Sequence, residues 1–346
     1  MINRIVIDNF KSIRHLDLEL RPLNILIGAN GSGKSNLIGF FKLWKALPKS
    51  NLHGYVREEG GPNQILHYGY KKSDFLSGDL YFENGSYYYF KLKPDTQDDF
   101  YFETEKIKIN KNGKKLNEEI KNKKESHLIL DELSDYQPDI YHFIYTNRFG
   151  FLRETSNIDF NAYLSANGSN LPSYLYFLKE KFPKTFSLIE ATVRSVFPFF
   201  KEFVLVPEAL NEQYIRLKWF GHDQEYPFNA SHLSDGTLRF IALTTILLQP
   251  DPPKLIIIDE PELGLHPAAI TKLAALMKKA AHKTQIIIAT QAPNLVDIFE
   301  PEDIITVDWE DGQSTFKRHN SDELGIWLED YSLGEIWEKN VIGGRP

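Results

Sequence analysis

The sequence predicts an α/β fold: a mixed sheet built around a phosphate-binding loop, an antiparallel β lobe, a helical lobe, and no long coiled-coil arm. Three observations carry this. The apolar run Leu23-Asn-Ile-Leu-Ile27 turns through the glycines of Gly28-Ala-Asn-Gly-Ser-Gly-Lys-Ser35 into a helical pattern. Two more continuous apolar runs, Lys254-Leu-Ile-Ile-Ile258 and Gln285-Ile-Ile-Ile288, read as strands buried on both faces. Residues 79–109 are dense in Tyr, Phe and Leu around an Asn84-Gly85 hairpin signal, which reads as antiparallel sheet.

In chain order, Ile5, Ile7 and Phe10, then Leu16, Leu18 and Leu20, alternate with polar residues. That is the period of half-buried strands, broken at residues 9–14, and both strands are expected beside the one that leads into the loop. The loop fits the pattern G-x-x-x-x-G-K-[ST]. Its glycines let backbone N–H groups curl around a phosphate, and the next helix aims its positive end at the same anion. Lys34 is expected on the β- and γ-phosphates and the Ser35 hydroxyl on Mg²⁺. Gly28, Ala29, Asn30, Gly31, Ser32, Gly33, Lys34, Ser35 and Asn36 are therefore the candidate nucleotide-binding residues. Leu37, Phe40, Phe41, Trp44 and Leu47 give the loop helix its apolar face, and Pro48 stops it.

Residues 49–75 read as loop with short elements, and Asn112-Gly113 closes a second candidate hairpin. Residues 106–124 hold eight lysines against two glutamates. A solvated hairpin tip is preferred there to a phosphate-backbone contact. Residues 172–197 give two helical patterns split at Phe182-Pro183. Residues 203–206 and 214–219 read as strands, with Asn211-Glu212 in the turn between them.

The run 254–258 ends in Asp259-Glu260, where carboxylates at a strand's C-terminal end meet ligands in open α/β sheets. Asp259 is expected to hold Mg²⁺ and Glu260 to act as general base on the attacking water. Ser234 in Leu233-Ser-Asp-Gly-Thr237 caps a further helix, and with Gly236 it offers a second anion cradle, whose natural use is across a dimer interface. Residues 270–281 form an amphipathic helix. The run 285–288 then leads to Gln291, placed to report on the γ-phosphate.

Composition sets the outer bounds. The 346 residues carry a formal charge of −7 and no cysteine. Disulfides and thiolate metal sites are excluded, any nucleic-acid contact must be local, and no run reaches the length of a membrane span. A cytoplasmic protein is expected. The organisation expected is one head over residues 1–346, with 1–50 and 228–346 as nucleotide-binding core and 51–227 as an inserted lobe.

Taken together, the loop, Leu233–Thr237 motif, Leu-Ile-Ile-Ile-Asp-Glu-Pro-Glu-Leu-Gly-Leu-His-Pro267 and Ile286-Ile-Ile-Ala-Thr-Gln-Ala-Pro-Asn-Leu-Val-Asp297 resemble the ATP-binding-cassette (ABC) ATPases. The Asn9-Phe-Lys-Ser-Ile13 opening is similar to the RecF, SMC and OLD-type branch. The ending Tyr331-Ser-Leu-Gly-Glu-Ile-Trp337 with Gly343-Gly-Arg-Pro346 resembles its stand-alone bacterial ATPases without a Toprim nuclease domain. The resemblance implies ATP and Mg²⁺ as cofactors and a head-to-tail homodimer with two sandwiched nucleotides. It also implies hydrolysis as a reset and an output in DNA maintenance or antiphage defence, through DNA or an effector protein encoded nearby. Ser234 and Gly236 match the family signature, whereas Asp235 and Thr237 depart from its usual pattern. Gln291 stands where most cassettes carry a histidine, and it can donate a hydrogen bond but not carry a proton charge. Gln64 is offered as the Q-loop glutamine. A transporter's nucleotide-binding subunit and a non-hydrolysing ATP-dependent scaffold stay open as alternatives.

Overall fold

Strands β1 (Ile2–Phe10) and β2 (Ile13–Glu19) bury Ile5, Ile7, Phe10, Leu16 and Leu18, whereas β3 (Leu23–Ile27) is buried at every residue. Helices α1 (Lys34–Ala46) and α2 (Pro62–Ile65) follow. The chain then runs through β4 (Leu76–Phe82), β5 (Tyr87–Pro94), β6 (Phe100–Lys111), β7 (Lys114–Lys123) and β8 (Pro138–Tyr141). Helices α3 (Leu171–Lys181), α4 (Pro183–Val196) and α5 (Asp235–Leu248) lead to β9 (Leu255–Asp259) and α6 (Pro267–Ala280). The last stretch is β10 (Gln285–Thr290), α7 (Pro293–Val296), β11 (Ile304–Glu310), β12 (Gln313–Arg318) and α8 (Leu333–Glu338). This computed structural model describes residues 1–49, 51–111, 114–126, 133, 136–143, 150–222 and 224–345.

Contacts divide the chain into two units. Unit 1 comprises Met1–Asp139, Pro253–Ile257 and Thr284–Pro346, and unit 2 comprises Ile140–Pro252 and Ile258–Lys283. Unit 1 is built on two six-stranded sheets, in the orders β2-β1-β4-β5-β6-β7 and β12-β11-β3-β10-β9-β8. The first is antiparallel throughout. In the second, β10 and β11 flank β3 in parallel, with Ile288 opposite Ile25 and Ile305 opposite Leu26. The last residues of β9 and β8 pass into unit 2. Helix α1 lays Phe40 on the antiparallel sheet, stacked on Phe90 at 6.0 Å and edge-on to Phe10 at 5.8 Å. A Cβ at position 78 would come within 2.6 Å of both the Phe40 and Phe90 rings, so this strand position takes glycine. Burying one such Phe side chain contributes about 1.5–3 kcal/mol.

In unit 2, α4 and α6 pack on α5, and α3 packs on α4. Helix α5 is apolar nearly all round and buried over most of its length, as a core helix must be. Two small three-stranded sheets complete this unit. One joins Phe200–Val204, Lys218–Gly221 and Phe228–Asn229, and the other joins Pro207–Glu208, Asn211–Ile215 and Ser156–Asn157.

Several sequence expectations are corrected. β1 and β2 do not lie beside β3. Their one-sided apolar pattern puts them in the antiparallel sheet, and β3, buried at every residue and apolar at all but Asn24, is enclosed by β10 and β11. Residues 214–219 are not one strand: the chain breaks at Arg216-Leu217, where the Leu217 carbonyl accepts from Ala230 N, and the flanking strands join different sheets. Asn211-Glu212 opens a strand instead of forming the turn, and the strand expected at 203–206 runs over Phe200–Val204. Residues 49–75 are, as expected, loop with short elements, among them the helices Leu52–Glu58 and α2. The hairpin at Asn112-Gly113 lies outside the described residues, between paired β6 and β7. In that lysine-rich ribbon Glu119 stands 3.5 Å from half-buried Lys106 and 3.1 Å from Lys121, with Glu119 and Lys121 exposed, as on a solvated face.

One buried base in unit 1 makes stability depend on pH. His319 is 2% exposed, with Nε2 3.0 Å from Thr306 Oγ1. Burial, aided by the Lys317 charge, pushes its pKa down to about 4. The unfolded chain titrates near 6.5, so between those values it binds a proton that the folded chain does not. The stabilisation is complete above about pH 6.5 and is lost as pH falls towards 4. Chemical denaturation at stepped pH is expected to show this slope, and His319→Gln is expected to flatten it. An unchanged slope in the variant would assign the effect to other groups.

Candidate nucleotide-binding site

β3 ends at Ile27 and the chain turns through Gly31 (φ 81°) and Gly33 (φ 121°), left-handed conformations open to glycine. A Cβ on Gly33 would collide with the Ser314 hydroxyl and come within 3.0 Å of Ser12 Oγ. Helix α1 starts at Lys34 with no side-chain cap and no acidic residue in its first turn. Its N-terminal amides and dipole are thus available to an anion. The Lys34 ammonium is buried and donates to the carbonyls of Gly28 (2.5 Å) and Ala29 (2.9 Å), which holds it over the loop.

Three residues brace this loop from outside the motif. Asn36 Nδ2 donates to Ser12 Oγ at 2.6 Å. The Ser314 hydroxyl, on β12, lies 2.6 Å from Ser12 Oγ and 2.5 Å from the Ser32 carbonyl oxygen. Ser314 N also donates to Ser12 O at 2.8 Å. Ser12 belongs to the turn between β1 and β2; Lys11 in that turn and Asn9 near the end of β1 adopt φ of 49° and 58°. The opening motif thus has a physical task, buttressing the phosphate loop. From the other side, Gln291 follows β10 and donates through Nε2 to Asn30 Oδ1 at 2.7 Å.

Beside the loop lies a cleft of about 600 Å³ lined by Lys11, Asn36, Gln64, His67, Tyr68 and Trp309 among others. Tyr68 and Trp309 are more than half exposed there, and Tyr68 holds a left-handed φ of 53°. Gln64, from α2, therefore faces a cleft of nucleoside size.

Unit 2 carries the remaining candidates. The Ser234 hydroxyl caps α5 by accepting from Thr237 N at 3.1 Å. Arg153 fixes the entry to that helix, donating to the carbonyls of Ala230 and Leu233 (2.5 and 3.0 Å) and to Asp235 Oδ1 (2.7 Å). A Cβ on Gly236 would strike the Gly264 carbonyl oxygen, so close backbone approach accounts for this glycine. Buried Arg239 ties the same segments together: it donates to the carbonyls of Phe143 (3.1 and 2.6 Å) and Leu263. Burial lowers its pKa, opposed by Asp235, Glu260 and Glu262. Asp259 ends β9, with His142 Nδ1 3.8 Å from its Oδ2. Glu260 adopts φ 49°, an uncommon backbone for a non-glycine residue and of the kind stored at functional sites.

The candidates thus fall into two sets. Residues 28–36 and Gln291 come together in unit 1, and Ser234, Gly236, Asp259 and Glu260 lie in unit 2. Ser314, Arg153, Arg239 and His142 were not singled out in the sequence, and no local signal marks them. Residues 23–297 match the family model described as "AAA domain, putative AbiEii toxin, Type IV TA system". The chain belongs to this family. Within it, the chain is similar to the ABC-class P-loop ATPases of RecF/SMC type and shares their fold. The RecF DNA replication and repair protein of Actinobacillus pleuropneumoniae is 38% identical over 77 residues, 22% of this chain and 19% of that relative's length. The chain therefore matches only about a fifth of that curated relative. Among solved structures, an Smc head bound to the C-winged helix domain of ScpA superposes with a TM-score of 0.61 at 16% identity, covering 94% of this chain and 99% of that one. The Smc head of Pyrococcus furiosus, bound to the C-terminal domain of ScpA, gives 0.60 at 14% identity, covering 95% and 98%. At such identities the likeness is one of fold.

Proposed function

We propose that this AAA domain binds and hydrolyses ATP with Mg²⁺, and that ATP closes two copies head to tail as a switch. The observation that carries the reading is the Gln291–Asn30 hydrogen bond, which sets a polar, uncharged side chain from a neighbouring strand on the phosphate loop. Such a group can exchange Asn30 for a γ-phosphate oxygen when ATP is present and return when it is lost.

The other roles follow from the donor chemistry. Lys34 exchanges two carbonyls for phosphate oxygens. Tyr68 and Trp309 line the cleft as stacking faces for the base. The Ser35 hydroxyl and Asp259 carboxylate are hard oxygen donors of the kind Mg²⁺ takes, and they are its proposed holders. When bound, that ion neutralises charge on the β- and γ-oxygens. Glu260 accepts the proton of the attacking water. Ser234 and the start of α5 cover the nucleotide held by the second copy.

For the output, the RecF relative is named for DNA replication and repair, the family for a toxin–antitoxin system, and the Smc heads for their complexes with ScpA. The proposal is a protein effector partner, with DNA maintenance or antiphage defence as its setting, in a cytoplasmic protein. The direct test is light scattering of the purified chain. ATP with Mg²⁺ is expected to double the mass and ADP to leave it unchanged; equal masses in both would reject the switch. DNA binding measured with ATP across a salt series is expected to weaken as salt rises, and absence of binding at low salt would remove DNA as a direct ligand.

A further inference from the structure

The ending that carries Gly334, Trp337 and Gly343-Gly344 has no part in the site as described so far, yet it touches both halves of the phosphate switch. At one end, Gly334 N donates to Asp297 Oδ1 at 2.6 Å. A Cβ on Gly334 would stand 2.6 Å from the Pro293 carbonyl oxygen, so α8 rests directly on α7. Helix α7 begins two residues after Gln291. At the other end, Gly344 N donates to both Asp308 oxygens, at 2.7 and 2.8 Å. A Cβ on Gly344 would come within 3.2 Å of Thr306 Cβ and 3.3 Å of the Ile27 carbonyl oxygen. Ile27 is the last residue before the phosphate loop, and Thr306 is its partner on β11. Both Gly343 (φ 78°) and Gly344 (φ 64°) are left-handed, which lets the chain make this approach. Between the two ends Trp337 is fully buried, and its indole N–H donates to Gly344 O.

We infer that residues 332–345 form a strap from α7 to the end of β3 that sets where Gln291 stands relative to Asn30. Its residues are positioning residues, and its output is discrimination between ATP and ADP. This rests on the nucleotide reading above. The strap is gripped at both ends by backbone contacts too close for a side chain. A displacement at either end is therefore carried along α8 to the other through Trp337, since close-packed elements shift as units.

The test uses the full chain with Mg²⁺ and displacement of a fluorescent nucleotide by ATP and by ADP. Gly334→Val and Gly344→Val disturb opposite ends, and Asp308→Asn is a milder variant that keeps one acceptor. Each valine variant is expected to lower the ratio of ATP to ADP affinity by about five- to tenfold, the scale of a modest coupling energy. Gln291→Ala is expected to lower it similarly, and Gln291→Ala with Gly344→Val to lose no more than either alone. Should the valine variants fail to fold, Asp308→Asn is expected to show a smaller loss of the same sign, again absent in the Gln291→Ala background. Folded variants with an unchanged ratio, or losses that add to that of Gln291→Ala, would overturn the strap. A parent that binds neither nucleotide would overturn the nucleotide reading, and the strap with it.

Discussion

Lys34→Ala is expected to weaken Mg–ATP binding by on the order of 100-fold, the loss of about 3 kcal/mol of charge-assisted hydrogen bonding. The Lys34 ammonium is buried and already committed to the Gly28 and Ala29 carbonyls, so its position is fixed before any ligand arrives. Little ordering entropy remains to be lost when phosphate oxygens replace those acceptors. Alanine removes both the charge and the two donors. Lys34→Arg is not expected to rescue the loss, because a planar fork does not replace a compact ammonium between two loop carbonyls. Calorimetric titration of folded variants measures this directly, and ATP binding of parental strength in Lys34→Ala would contradict the assignment.

Glu260→Gln is expected to separate binding from turnover. Replacing a general base typically costs 10²–10⁴ in rate, so kcat should fall by at least about 100-fold while ATP affinity stays within about twofold. The substitution is nearly isosteric. It keeps the left-handed backbone at position 260, whose cost of about 1–3 kcal/mol any variant there must still meet. With hydrolysis stopped, ATP-closed dimers should accumulate. Single-turnover kinetics with parallel light scattering would read both effects. Unchanged turnover would remove Glu260 as base and shift the role to another group near Asp259.

Much of the fold could be read from patterning, because the decisive signals are contiguous. Three short runs of mostly apolar residues become β3, β9 and β10 of one sheet, and the alternating runs become strands of another. Pairing was the less legible part. Nothing local in Ile5, Ile7, Leu16 or Leu18 says that β1 pairs with β4 and not with β3, since that choice depends on chain segments about 70 residues away. The same distinction holds in the site. Gly28–Ser35 is one continuous loop and visible as such. Ser12 and Ser314 meet at its base only because β12 returns there some 300 residues later. Arg153 and Arg239 likewise act on backbone carbonyls of remote segments, a role with no composition signature. Gly236 is instructive for its reason: the sequence suggests a glycine that clears room for phosphate, and the structure packs it against the Gly264 carbonyl.

The claim that each nucleotide is closed by a second copy is tested most directly by mixing two inactive variants. Lys34→Ala lacks a working phosphate loop but keeps Ser234, and Ser234→Arg keeps the loop but blocks the cradle. Each alone is expected to show little ATP turnover. A mixed head-to-tail dimer contains one intact composite site, so equal mixing should restore about a quarter of parental turnover. Full turnover by Ser234→Arg alone, or no recovery on mixing of two folded, dimerising variants, would contradict it.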